Sequence, residues 1–263
     1  MQVIKRTYSL FYSPVWWIID VLLPPRCIGT GEIVDADGMI APALWQELNF
    51  ISPPYCKKCG LPFDFEYEVD NATICGACLQ EPPRFDTARS ALTYNEASRK
   101  LLLKFKYGDQ QHAANTFARW LRNALEDIDS IDLIIPTPLH PRRLWQRRFN
   151  QSALLAKALG RLTNQTVTGQ VLKRRRFTAP QKGLSRKSRQ KNVRMAFYVP
   201  PKMRERIAGK NILLIDDVLT SGATVNECAK ALKSSGAKKV HALTVARVLR
   251  DSGEPIENSA FYT

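Results

Sequence analysis

Two adjacent carboxylates, Asp216 and Asp217, follow the strand-length run Asn211 to Ile215, apolar from Ile212 on, and precede a turn made of Thr220, Ser221, Gly222, Ala223 and Thr224. The apolar run has the length of a buried strand, and open parallel sheets place their ligand crevice at the carboxyl ends of such strands. A helix starting just after the turn would present N–H groups and the positive end of its dipole, which suits a phosphate monoester. Gly222 lets the backbone come close to that phosphate, and the hydroxyls of Thr220, Ser221 and Thr224 add donors. The two carboxylates can accept hydrogen bonds from vicinal sugar hydroxyls, so the chemistry implied is recognition of a ribose phosphate. A helix cap followed by an ordinary turn is the plainer alternative. The string is not a Walker A loop, which needs Gly-Lys-Ser/Thr, nor a dinucleotide fingerprint, which needs more than one glycine.

A second constellation is made of sulfur. Cys56 and Cys59, then Cys75 and Cys78, form two close pairs fifteen residues apart, the spacing of a four-thiolate zinc site. Four thiolates leave no open position, so the ion would be structural, standing in for a core that this Pro-rich stretch lacks. Disulfides are the competing reading, which a reducing compartment disfavours. Cys27 reads as a buried thiol and Cys228 as a small core residue on a helix.

The third signal is positive charge. Lys and Arg total 39 against 24 Asp and Glu, a formal charge of +15, so a polyanionic partner has to be considered. Between Lys173 and Arg194 lie ten Lys and Arg and no acid, a segment expected to be a long mobile loop until an anion neutralises it. A second basic stretch carries His140, Arg142, Arg143, Arg147 and Arg148. Trp145, Phe149 and Phe177 interleave with the arginines, so a nucleic-acid track, a diphosphate site and a solvated face all remain open.

These groups need a frame. Periodicity predicts strands at Ala88–Tyr94, Asp132–Pro136, Asn211–Ile215 and Lys239–Val248, and helices at Glu96–Tyr107, His112–Leu125, Gln151–Leu162 and Val225–Ser234. That order implies an α/β fold with a mainly parallel sheet flanked by helices, preceded by a small N-terminal zinc-binding module. The expected organisation is an N-terminal helix or extension over 1–20, the zinc module over 21–85, and the α/β domain over 86–263. No internal repeat is visible. The apolar stretch Tyr8 to Leu23 is too short to span a membrane and contains Pro14 and Asp20; it reads as a helix packed on the protein, with peripheral membrane contact as the alternative. With no secretion signal, a cytoplasmic address with reduced thiols is expected.

LLIDDVLTSGAT resembles the ribose 5-phosphate loop of type I phosphoribosyltransferases. Together with CKKCG and CGACL, LLLKFKYGD at Leu101 to Asp109, PTPLHPRRLWQRRFNQS at Pro136 to Ser152, and TAPQKGLSRKSRQKNV at Thr178 to Val193, it resembles the ComF/GntX family over most of residues 20–250. The resemblance implies a type I phosphoribosyltransferase-like domain that takes phosphoribosyl diphosphate with magnesium on the diphosphate. It implies catalytic roles for Asp216, Asp217, Lys182 and Arg186 and a ligand role for the two acids, with Lys182, Arg186 and Gln181 on a loop closing over the diphosphate. His140, Arg142, Arg143 and Arg148 resemble part of the family's pyrophosphate-binding loop. It also implies a link to natural competence and use of external DNA, with single-stranded DNA and the competence machinery as partners. Two readings follow: an enzyme of pentosyl transfer, or a non-catalytic DNA-handling factor using the same pocket.

Overall fold

A computed structural model describes residues 24–36, 38–63, 73–107, 113–125, 128, 130–147, 149–175 and 186–249. Of Tyr107, Arg143, Gln146, Arg186, Lys187 and Arg189 it describes the backbone alone. The expected N-terminal helix lies outside these residues, as do Arg148, Phe177, Gln181 and Lys182.

The elements, in chain order, are α1 (Pro42–Glu47), α2 (Gly76–Gln80), β1 (Thr87–Thr93), α3 (Glu96–Tyr107), α4 (Ala113–Asn123), β2 (Leu133–Pro136), α5 (Pro141–Arg147), α6 (Gln151–Thr163), β3 (Lys173–Arg174), α7 (Arg186–Val193), β4 (Phe197–Tyr198), β5 (Asn211–Leu219), α8 (Ala223–Lys233) and β6 (Lys239–Arg247). Four strands form one sheet in the order β1-β6-β5-β2, every pairing parallel. Strands buried on both faces read as continuous apolar runs, which is why LIIP and NILLI carry no alternation. On one face Leu213, Ile215, Leu243 and Val245 pack with Leu101 and Phe105 of α3, Phe117 of α4 and Leu159 of α6. On the other, Ile212, Leu214, Val240 and Ala242 pack with Cys228, Ala229 and Leu232 of α8. Burial pushes the Cys228 thiol well above its ordinary value, as suits a core residue.

Four features depart from the sequence reading. β5 runs on to Leu219, so the two acids sit within a strand paired on one side only. The stretch expected as a loop between β2 and α6 contains α5. The stretch Lys173–Arg194 holds β3, which pairs antiparallel with β4, and α7. RKSRQKNV has no apolar period to announce a helix; it is made of good helix formers, with Val193 buried at its end. Finally, the backbone does repeat itself, since the turns around Cys27 and Cys56 share one hydrogen-bonding frame. Among the described residues no helix is long and apolar enough to cross a membrane.

Candidate functional site

β2 pairs with β5 from Leu133 opposite Ile212 to Pro136 opposite Ile215, and the N–H of Thr137 closes the pairing by donating to Ile215 O at 2.8 Å. Past that point β2 turns away while β5 continues beside β6. Asp216 and Asp217 are the first residues of β5 beyond the departure, at the carboxyl edge of the sheet, the side on which open α/β sheets hold ligands. Asp216 Oδ1 accepts from Ser152 Oγ at 3.1 Å and from the N–H of Asp217 at 3.0 Å. Asp217 accepts the N–H of Val218 at 2.7 Å through Oδ1 and pairs with Lys106 Nζ at 2.9 Å through Oδ2.

The environments push the two acids apart. Burial, then the neighbouring charge of Asp217, pushes Asp216 up to about 7. Burial also opposes charge on Asp217, but the ammonium of Lys106 beside it outweighs burial and holds that carboxyl below its ordinary range. Lys106 is itself only 5% exposed. Sequence reasoning missed Lys106 and Ser152. The signal for the first was a lysine four residues after Leu102 and adjacent to Phe105, on the buried stripe of α3, where a cation needs a partner. Ser152 carried no comparable mark.

Around the end of β2, Asn150 Nδ2 donates to Thr137 O at 3.0 Å, while the buried Thr137 Oγ1 and Asn150 Oδ1 have no hydrogen-bond partner among the described residues. Buried polar atoms are almost always satisfied, so these two oxygens at the end of β2 are open to a further hydrogen bond. At the other end of the site Gly222 is the N-cap of α8 with φ 76°, in the left-handed region that glycine adopts without strain. Ser221 Oγ faces the N–H of Ala223 at 3.5 Å, and Thr220 and Ser221 are part-buried. A cavity of about 100 Å³ lies between this loop and the cysteine module, lined by Leu61, Phe85, Thr220, Ser221, Asn226 and Arg247 among others.

The basic residues fall into three groups. Arg147 adds its charge to the field that keeps Asp217 ionised. His140 turns back, its Nδ1 accepting the N–H of Arg142 at 3.2 Å at the start of α5, whereas Trp145 on the same helix is 86% exposed. Arg174 and Arg175 lie over the rings of Phe197 and Tyr198, at 5.2 and 5.1 Å from their centroids, so both have packing roles. Phe149, expected beside the basic track, points toward Phe105 with centroids 6.5 Å apart. The side chains of Arg143 and Arg186 lie outside the description, as do Gln181, Lys182 and Arg148 altogether.

The sulfurs of Cys56, Cys59, Cys75 and Cys78 all lie within 4.8 Å of one another, with Cys59 Sγ and Cys75 Sγ at 3.7 Å. A tetrahedron with Zn–S of about 2.3 Å has edges of about 3.8 Å, so the four thiols fit one zinc ion. The first knuckle is fastened to the sheet. Ala88 N donates to Lys58 O at 2.8 Å, Arg89 donates to Lys57 O at 3.1 Å, and Arg247, 7% exposed, donates to Cys59 O. The segment leaving the second knuckle reaches α8, where the N–H of Arg84 donates to Asn226 Oδ1 at 2.8 Å. Cys27 is buried and remote from this cluster in hydrogen bonding, accepting the N–H groups of Gly29, Thr30 and Ala41.

A parallel sheet flanked by helices, a carboxylate pair and hydroxyl loop at its carboxyl edge, and a thiolate zinc module define the phosphoribosyltransferase-like class with an appended ribbon. Residues 18–79 match the double zinc ribbon domain family and residues 154–262 the phosphoribosyl transferase domain family. Competence protein F of Haemophilus influenzae is 32% identical over 200 residues, covering 74% of this chain and 85% of that protein. DNA utilization protein YhgH of Escherichia coli K12 is 30% identical over 200 residues, covering 74% and 84%. Glutamine phosphoribosylpyrophosphate amidotransferase of B. subtilis superposes with a TM-score of 0.37 at 18% identity, covering 54% of this chain and 30% of that one. The chain belongs to the ComF/GntX family of competence protein F and its relatives.

Proposed function

We propose that the carboxyl edge of the sheet beyond the end of β2 binds phosphoribosyl diphosphate or a related ribose phosphate. The observation that carries this is the placement of Asp216 and Asp217 at the first positions of β5 freed from β2, ahead of the Thr220–Thr224 loop and the N-terminus of α8. In this reading Asp217, kept ionised by Lys106, accepts from one ribose hydroxyl and Asp216 from the other. Thr220, Ser221, Gly222, Ala223 and Thr224 hold the 5-phosphate with backbone N–H groups and hydroxyls. Thr137 and Asn150 offer their free polar atoms toward the diphosphate end. Magnesium, arriving on the diphosphate, would neutralise its charge. Gln181, Lys182 and Arg186 would close over that end, with His140, Arg142, Arg143 and Arg148 on the opposite side.

Catalysis would be displacement at the anomeric carbon. The lone pair of an acceptor forms the new bond to that carbon as the carbon–oxygen bond breaks, and the pair of electrons leaves on the diphosphate. The cations would support the charge that develops on the leaving group. Pyrophosphate release from phosphoribosyl diphosphate and magnesium, measured across a panel of nucleobases and amines, tests this step; tight binding with silence throughout the panel refutes turnover and leaves a ligand-binding protein.

A second reading has its own observation. Trp145 stands exposed on α5 beside Arg142, an arrangement that stacks on a base while pairing with phosphate. The names of the relatives speak of competence and DNA utilization, and we propose the same biology for this chain, with single-stranded DNA on this track. Binding should weaken steeply as salt rises and fall severalfold in Trp145→Ala; salt-independent binding, or no change in the variant, removes this reading.

A further inference from the structure

The two turns of the N-terminal module can be superposed bond by bond. In one, Cys56 N donates to Leu61 O at 2.7 Å, Gly60 N donates to Cys56 O at 2.7 Å, and Tyr55 bridges antiparallel to Pro62. In the other, Cys27 N donates to Glu32 O at 2.7 Å, Gly31 N donates to Cys27 O at 2.9 Å, and Arg26 bridges antiparallel to Ile33. Gly60 and Gly31 occupy the same offset and both turn left-handed, at φ 68° and 83°.

The sulfur contacts repeat as well. Cys56 Sγ accepts from the N–H of Cys59 at 3.5 Å and of Cys75 at 3.3 Å; Cys27 Sγ accepts from the N–H of Thr30 at 3.5 Å and of Ala41 at 3.2 Å. Cys75 is the N-cap of α2 and Ala41 the N-cap of α1, and Leu79 and Trp45 donate back to those two carbonyls. Cys27, Thr30, Ala41 and Leu44 therefore stand where Cys56, Cys59, Cys75 and Cys78 stand in the other ribbon.

Three of the four thiols are missing from this first ribbon, and one thiol with a hydroxyl, a methyl and an isobutyl group cannot hold zinc. Apolar packing occupies the place of the ion. Cys27 and Ala41 are each 1% exposed and Leu44 5%, inside the cluster that contains Leu48 and Leu101. The turn is closed on that side chain so tightly that a Cβ on Gly29 would overlap Leu44 Cδ2, and Lys104 Nζ fastens Gly29 O from α3.

We propose that Cys27, Ala41 and Leu44, with Thr30 exposed at the remaining ligand position, form a ribbon site held by apolar packing instead of a metal, so that the chain holds one zinc ion and its first ribbon keeps its fold when zinc is withdrawn. Metal analysis of the full chain gives one zinc per molecule, and Cys27→Ala leaves that value unchanged. None or two in the wild type, or loss of zinc on Cys27→Ala, overturns the proposal. Thr30→Cys, Ala41→Cys and Leu44→Cys introduced together raise the content to two and double the thiolate-to-metal charge-transfer absorption after cobalt loading; a folded variant that stays at one overturns the correspondence. Hydrogen exchange of the wild type in excess chelator decides the case if the triple variant does not fold. Amides of Cys27, Gly31 and Val34 stay protected while those of Cys56 and Gly60 lose protection, and equal loss in both turns refutes the proposal.

Discussion

Lys106→Met isolates the ion pair on which the candidate site is built. The variant keeps the apolar stem of the side chain, so the change is chiefly one of charge. Two unit charges 2.9 Å apart attract by about 6 kcal/mol at an effective dielectric of about 20, and desolvation of both offsets much of that. Removing the lysine alone leaves Asp217, 17% exposed, with only the weaker field of Arg147 to support its charge. Breaking a buried pair in this way costs about 3–5 kcal/mol; the retained N–H of Val218 and the residual exposure place the loss near the lower end, about 3 kcal/mol. For a domain of this size that corresponds to a fall in melting temperature of about 6–12 °C. Asp217→Asn alone should cost a similar amount by stranding the ammonium, while the double variant should recover at least about 2 kcal/mol of the summed loss. Urea unfolding of the four proteins measures the cycle. The sign with pH follows from the depressed folded pKa of Asp217: its stabilisation is present above the unfolded value of about 3.9 and is lost as pH falls through the folded value. Lys106→Met should therefore flatten the acid limb. A loss under about 1 kcal/mol, or strict additivity in the cycle, would refute the pairing argument.

Asp216 titrates in the opposite sense. Its folded value is raised to about 7, so the native state binds the extra proton, and stability present below pH 4 is lost as pH rises from about 4 to about 7; Asp216→Asn should abolish that decline, seen in melting temperature against pH. Gly60→Ala sets a Cβ 2.5 Å from Ala88 O at a left-handed φ of 68°, so the knuckle must shift off β1 and zinc should pass to a colorimetric chelator about tenfold faster; an unchanged release rate contradicts the docking described for this turn.

The sheet was legible because its strands are buried on both faces and announce themselves as apolar runs, LIIP and NILLI among them. The helices α3, α4 and α6 were legible from their periods to within a residue or two at each end. What periodicity cannot see is an element held by polar contacts. α7 is tied through Gln190 to Glu81, at 3.1 Å, and α5 carries three arginines with its Leu144 and Trp145 both exposed. The acids and hydroxyl loop of the site could be named because they lie together in the chain. Lys106 and Ser152 come from two other helices, and only the fold carries them to Asp217 and Asp216. The repeat of the ribbon was hidden for a similar reason: a knuckle is specified by a left-handed glycine and N–H groups aimed at sulfur, and three of its four ligand positions in the first copy have changed chemistry.

The ribose phosphate site itself is probed by titration calorimetry of the zinc-loaded chain with phosphoribosyl diphosphate and magnesium. Saturable binding of one ligand per chain is expected, weakened about tenfold or more in Asp217→Asn and again in Gly222→Val. A folded wild-type protein that takes up no ligand, or one whose affinity is untouched by both substitutions, would contradict it.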